Sequence, residues 1–174
     1  MIYPIREDTL FFKNFLAEKD LTDLELLEIG TGNGQLAITA AKKGAKVTAT
    51  DIHEPSLKET KRKALEEGIE ENIELVKSNL FSEINSKFDI IIFNPPYLPG
   101  EKAYEGRTWK GGKEGIEITE RFLNQVNDYL KSDSEAYIIA SNKANIEKLI
   151  ERYNLSIESE KKLWFEKLLL LKSK

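Results

Sequence analysis

The eight residues Ile90-Ile91-Ile92-Phe93-Asn94-Pro95-Pro96-Tyr97 restrict the fold more than any other stretch of the chain. Four consecutive bulky apolar side chains leave no face for water, so the run reads as a parallel strand covered on both sides. Two prolines cannot continue a ladder, so the strand stops there and the chain leaves the sheet. Ligands of open α/β sheets sit beyond the carboxyl ends of strands. Asn94 therefore stands at the mouth of a site, on a stiff support.

The rest of the chain supplies a sheet around that strand. Thr9 is expected to cap a first helix to about Glu18, with Leu10, Phe11, Phe15 and Leu16 along one face. Residues 24–29 read as a strand running into Gly30-Thr31-Gly32-Asn33-Gly34, followed by a helix over 35–43 ended by Gly44. A second strand over 46–50 finishes at Asp51, and Pro55 suits the first turn of a helix that Gly68 stops. Residues 73–77 form a short strand. Residues 98–113 hold four Gly, one Pro and four basic residues without an apolar period, the pattern of a long substrate-binding or lid loop.

Helical spacing resumes at Ile116, Thr119, Phe122, Leu123, Val126 and Leu130. A fifth strand covers 136–140. Ser141 is expected to cap a helix with Ile146, Leu149, Ile150 and Tyr153 in one stripe, and 155–172 read as a two-stranded hairpin. Strand and helix alternate, which predicts an α/β, doubly wound, mostly parallel sheet with an antiparallel C-terminal strand. A length of 174 residues suits one domain, taken as 1–174, and not two.

Composition narrows the chemistry. With no Cys and one His, a thiolate or imidazole metal site is not expected. There is no membrane-spanning apolar run and no signal-peptide pattern, so a cytoplasmic protein is the expectation. A net charge of −4 argues against broad electrostatic binding to nucleic acid.

The glycine spacing selects a ligand. Gly30, Gly32 and Gly34 give GxGxG, whereas the dinucleotide fingerprint needs Gly at 35, where Gln stands. Glu28 at the strand tip would repel a pyrophosphate but suits a cation. Asp51 is placed to hold a ribose diol. A nucleoside with a positive centre fits, and S-adenosylmethionine is one. At Asn94, the side-chain oxygen and the Pro95 carbonyl can each accept one N–H bond from a planar amino group. That aims the nitrogen lone pair at a methyl group and strengthens as charge develops. Tyr97 offers a flat face for stacking.

Glu28-Ile29-Gly30-Thr31-Gly32-Asn33-Gly34, Asp51 and Asn94-Pro95-Pro96-Tyr97 together resemble a class I S-adenosylmethionine-dependent methyltransferase. Tyr3 with Glu7-Asp8-Thr9, and Trp109-Lys110-Gly111-Gly112-Lys113-Glu114-Gly115, are similar to segments of the short archaeal and eukaryotic branch of the HemK/PrmC family. The resemblance implies methylation of the glutamine amide in the Gly-Gly-Gln motif of a translation release factor. It implies catalytic roles for Asn94, Pro95, Pro96 and Tyr97. It places Thr9, Glu28 and Gly30 by the methionine part of the cofactor, Asp51 on the ribose, and Asn79 with Leu80 beside the adenine, with Gly32, Gly34 and Asn94 also expected to bind the cofactor. Asn79 stands where relatives usually carry an acid, and Ile116 where an Arg is common. A small zinc-binding activator subunit is also implied, and the 73–77 strand at the sheet edge could receive it.

Two other readings stay open. One is a methyltransferase for an exocyclic amine of adenine or guanine in RNA or DNA, which predicts steep salt dependence and base extrusion. The other is a non-catalytic binding module that keeps the cofactor fold. His53 is expected to be a solvated residue and not a base, and Trp164 to pack in the tail.

Overall fold

A computed structural model describes residues 6–97 and 115–173 of the chain. The elements run α1 (Glu7–Ala17), β1 (Glu25–Ile29), α2 (Gln35–Lys42), β2 (Lys46–Asp51), α3 (Glu54–Glu67), β3 (Ile73–Lys77) and β4 (Phe88–Phe93). They continue with α4 (Glu117–Leu123), β5 (Leu130–Ser141), α5 (Ile146–Tyr153), β6 (Ser156–Lys162) and β7 (Lys167–Ser173). Seven strands form one sheet in the order β3-β2-β1-β4-β5-β7-β6, so β4 is its central strand and β3 an edge. The first five are mutually parallel, and β7 is antiparallel to both β5 and β6.

Alternate residues of each inner strand feed two separate cores. Leu26, Ile90, Ile92, Tyr137, Ile139 and Leu170 pack with Phe12, Leu16, Leu36 and Ala40 of α1 and α2. Leu27, Ile29, Ile91, Phe93, Ile138 and Leu171 pack with Phe122, Ile146 and Leu149 of α4 and α5. Burial on both faces is why the β4 sequence is a continuous apolar run.

Four local expectations are corrected. Helix α1 begins at Glu7 with Arg6 as its cap, so Thr9 lies inside the helix. Its buried residues are Asp8, Thr9, Phe12 and Leu16; Phe11 and Phe15 pack partly buried against the same core, as expected, whereas Leu10 is 38% exposed. Acids at Glu7 and Asp8 favour a helix N-terminus there, one half-turn before Thr9. The run from Ile116 to Leu130 is broken: α4 stops at Leu123, a 3-10 turn covers Val126–Tyr129, and Leu130 opens β5. Ser141 closes β5 and does not cap α5, which Asn145 precedes. The Ser141 hydroxyl instead donates to Glu166 Oε1 at 2.5 Å. The loop expected at 98–113, with Trp109, and the segment holding Tyr3 lie outside the described residues. Ile116 is buried in the core that Phe122 shares, so an apolar residue there serves packing.

Candidate active site

Parallel register brings the chemistry-bearing residues to neighbouring strand tips. Glu28 pairs with Ala49, Ile29 with Phe93 and Asp51 with Lys77. Asp51 and Asn94 then stand about two positions beyond Glu28 along the carboxyl edge of the sheet, and Asn79 follows in the turn after β3, at a rise of roughly 3.3 Å per residue. A cavity of about 1130 Å³ opens over them, and its wall includes Thr9, Gly30, Gly32, Leu80, Pro95, Pro96 and Tyr97 as well.

One half of the cavity is built on β1, β2 and the turn after β3. Gly30 and Gly32 both have positive φ, at 67° and 55°, which a side chain would strain. The Gly32 N–H donates to Asp51 Oδ2 at 2.9 Å and the His53 N–H to Asp51 Oδ1 at 2.8 Å. The Asp51 carboxylate is thus fixed by backbone donors, with lone pairs left over for a ligand diol. His53 itself is exposed at the start of α3.

Glu28 is 2% exposed and accepts the Thr31 hydroxyl at 2.8 Å. Burial pushes its carboxyl up from 4.5 to about 8, against the hydrogen bonds from Thr31 and the Ala37 backbone and helped by the charge of Asp51. A buried carboxyl with so little compensation favours a cation beside it. Beyond β3, Leu80 has φ +53°, a left-handed conformation rare for a branched apolar residue. The Ser78 hydroxyl donates to the Leu80 carbonyl at 2.8 Å and receives the Glu83 N–H at 3.2 Å, which holds that turn. Strain of this kind persists where the surroundings over-determine it, and here it sets a cavity wall.

The other half is built on α1 and the end of β4. Asp8, 2% exposed, accepts the Thr9 N–H at 2.6 Å, the Tyr97 hydroxyl at 3.0 Å and the Asn94 Nδ2 at 3.3 Å. A carboxylate only accepts, so the NH₂ end of Asn94 must face Asp8. The opposite end, Asn94 Oδ1, is buried and has no hydrogen-bond partner among the described residues. An orphaned buried acceptor is costly, and such atoms in native proteins call for a reason. Here the reason on offer is an N–H donor from a ligand in the cavity.

The profile of the methyltransferase small domain family matches residues 8–162. A protein of Methanocaldococcus jannaschii described as an N5-glutamine methyltransferase is 33% identical over 179 residues, 97% of this chain and 88% of that one. A release factor glutamine methyltransferase of Streptococcus pneumoniae is 31% identical over 79% of this chain, which spans only 53% of that relative's length. Among solved structures, a chain of the E. cuniculi Mtq2–Trm112 complex superposes with a TM-score of 0.79 at 22% identity, over 99% of this chain and 98% of that one. The chain belongs to the methyltransferase small domain family.

In this methyltransferase the fold gathers almost every residue that the sequence points to. Gly34 is the exception, being absent from the cavity wall. It precedes α2 with φ +76°, and a Cβ there would stand 2.6 Å from Thr60 Oγ1 and 3.0 Å from Thr60 Cα. Its need for glycine comes from the close approach of α2 to α3. Asp8 is the residue whose part the sequence hid. An acid in the first turn of a helix is ordinarily explained by the helix dipole, so only its contact with Asn94, 86 positions away, reveals it.

Proposed function

We propose that this protein transfers a methyl group from S-adenosylmethionine to the glutamine side-chain amide of the Gly-Gly-Gln motif in a translation release factor. The observation that carries the reading is the buried Oδ1 of Asn94, which meets no donor among the described residues, held in its orientation by Asp8. S-adenosylmethionine supplies an electrophilic methyl when bound. Glu28 would hold its amino group, Asp51 its ribose hydroxyls, and Asn79 with Leu80 would flank its adenine. Thr9 borders the methionine end.

The residues of β4 act on the acceptor. Asn94 Oδ1 and the Pro95 carbonyl each accept an N–H from the glutamine amide, which sets the lone pair toward the methyl and opposes planarity. Both acceptors bind more strongly as positive charge grows on nitrogen, so they favour the transition state over the ground state. Pro96 stiffens the tip and Tyr97, its hydroxyl tied to Asp8, presents its ring. The methylated nitrogen would shed its extra proton to water as the neutral thioether S-adenosylhomocysteine leaves, so no titrating base is required.

The relatives named for release factor glutamine methylation support the substrate, and a release factor as substrate makes the protein cytoplasmic. A small activator subunit is part of the proposal, as the pairing of Mtq2 with Trm112 in the similar complex suggests, and its zinc site is expected from the family resemblance alone. Edge strand β3, with Ile73 and Leu75 half-buried beside a second cavity of about 410 Å³, would receive it. Full activity of the monomer purified alone would remove the subunit from the scheme.

Labelled cofactor incubated with a release factor, and separately with total RNA, tests the substrate. Label is expected on the protein and is expected to vanish when the acceptor Gln is replaced. Label on RNA with a steep salt dependence would replace this reading with a nucleic-acid one. Cofactor binding without transfer to either would make the chain a binding module.

A further inference from the structure

Trp164 and Phe165 are 95% and 85% exposed, although the apolar area of two aromatic side chains is among the most unfavourable to leave in water. They sit side by side, ring centroids 6.2 Å apart, at the tip of the hairpin joining β6 to β7. The Leu163 N–H donates to the Glu166 carbonyl at 2.7 Å and closes the turn. We propose that this tip is a docking element for the protein that carries the acceptor glutamine, a step that rests on the reading of the site given above.

Position is the first support. Strand β7 runs antiparallel to β5, with Leu168 paired to Ser141, so the hairpin tip stands at the carboxyl edge of the sheet where the cavity opens. Leu163 and Glu166 line that cavity, and the two rings between them continue outward from its rim. Strand order puts β5 and β7 on the Asn94 side, away from Asp51 and the cofactor half. A polypeptide entering toward Asn94 from that side meets the tip first.

Rigidity is the second. Glu166 accepts the Ser141 hydroxyl at 2.5 Å and pairs with Lys143 at 3.5 Å. The Asn142 N–H donates to the Lys167 carbonyl at 3.0 Å, and the Lys167 N–H returns to Asn142 Oδ1 at 2.7 Å. A tip stapled to the end of β5 on both sides loses little freedom on binding. Exposed, pre-ordered Trp is also the residue type that most often dominates protein interfaces. Charge at the tip is mixed, Glu158 and Glu160 standing beside Lys161, Lys162 and Lys167, with Glu160 paired to Lys167 at 3.3 Å, so the local surface is not the basic patch that a phosphate backbone requires.

The test compares wild type with the Trp164→Ala/Phe165→Ala variant, each as the full chain with and without the companion subunit. Three acceptors are used: a short capped peptide containing Gly-Gly-Gln, an intact release factor, and total RNA. The variant is expected to raise KM for the intact factor roughly tenfold or more, with kcat, peptide kinetics and cofactor Kd unchanged. An unchanged KM for the factor overturns the docking role. An equal loss with the peptide makes the tip part of the cavity, and a loss confined to RNA makes it a nucleic-acid contact. A change in sedimentation of the variant alone would mean that a second copy covers the tip. No transfer by wild type to peptide or factor would remove the reading of the site and this proposal with it.

Discussion

A carboxamide tied at its nitrogen end has one orientation, and Asn94, whose oxygen end meets no donor among the described residues, is in that state because of Asp8. In the proposed reaction Asn94→Ala should keep cofactor affinity by calorimetry and lose roughly 10²-fold in turnover, by analogy with loss of one oxyanion donor. Turnover near wild type would defeat the assignment. Asp8 is a positioning residue and its effect should be smaller: Asp8→Ala frees Asn94 to rotate and should lower kcat roughly tenfold with little change in KM. Asp8→Asn retains an acceptor oxygen and should recover part of that loss; equal damage from both variants would mean that the charge, not the orientation, matters.

Glu28 carries a pH dependence whose sign follows from burial. Its folded pKa, about 8, lies above the ordinary 4.5, so between those values the folded protein holds a proton that the unfolded chain has lost. Stability then falls as pH rises through that window and levels off above it. Urea midpoints measured from pH 5 to 8 should show the decline, and Glu28→Gln should flatten it. A cationic amino group beside Glu28 would draw the proton off. Cofactor binding near pH 7 should therefore release protons, seen as a dependence of calorimetric heat on the ionisation enthalpy of the buffer.

At the level of elements, legibility followed the reach of the forces. Strands β1, β2, β3 and β4 were readable to within about two residues, because burial on both faces is written as a local apolar run. Gly68 as the left-handed stop of α3 was equally local. Contacts across sequence were not readable: Ser141 resembles a helix cap until Glu166 arrives from 25 positions away. Leu130 resembles the end of a helical stripe until Phe88 pairs with it. The cavity wall was legible because three motifs fall at three strand tips, whereas Asp8, part of the family-like Glu7-Asp8-Thr9 segment, had no role of its own until its contact with Asn94. Trp164, expected to pack, is instead 95% exposed in the turn between β6 and β7. The packing role of Gly34 gives a test at this scale. Gly34→Ala should destabilise by about 2 kcal/mol or more, from left-handed strain and collision with Thr60. Cofactor affinity of the folded fraction should stay unchanged, and a fall in affinity without a fall in urea midpoint would return Gly34 to the cofactor.

Across the whole molecule, the sheet divides the labour by strand order. The tips of β1, β2 and β3 border the half of the cavity proposed for the cofactor, while β4, the turn after β5 and the start of β7 border the half proposed for the acceptor. The hydrogen bonds keep the halves apart as well: Asp51 is held by Gly32 and His53, Asn94 by Asp8. Asp51→Ala removes the proposed ribose acceptor and also releases two backbone donors, from Gly32 and His53. It should weaken cofactor binding roughly tenfold or more, at about 1.4 kcal/mol per factor of ten. Single-turnover rates at saturating cofactor should stay within a few-fold of wild type. Asn94→Ala should do the reverse. Because the two residues bond to different partners, the double variant should lose the sum of the two free energies to within about 0.5 kcal/mol. An interaction energy well beyond that would show that cofactor grip and acceptor alignment act as one unit, and that the strand tips are coupled through the β1–β4 pairing and not independent.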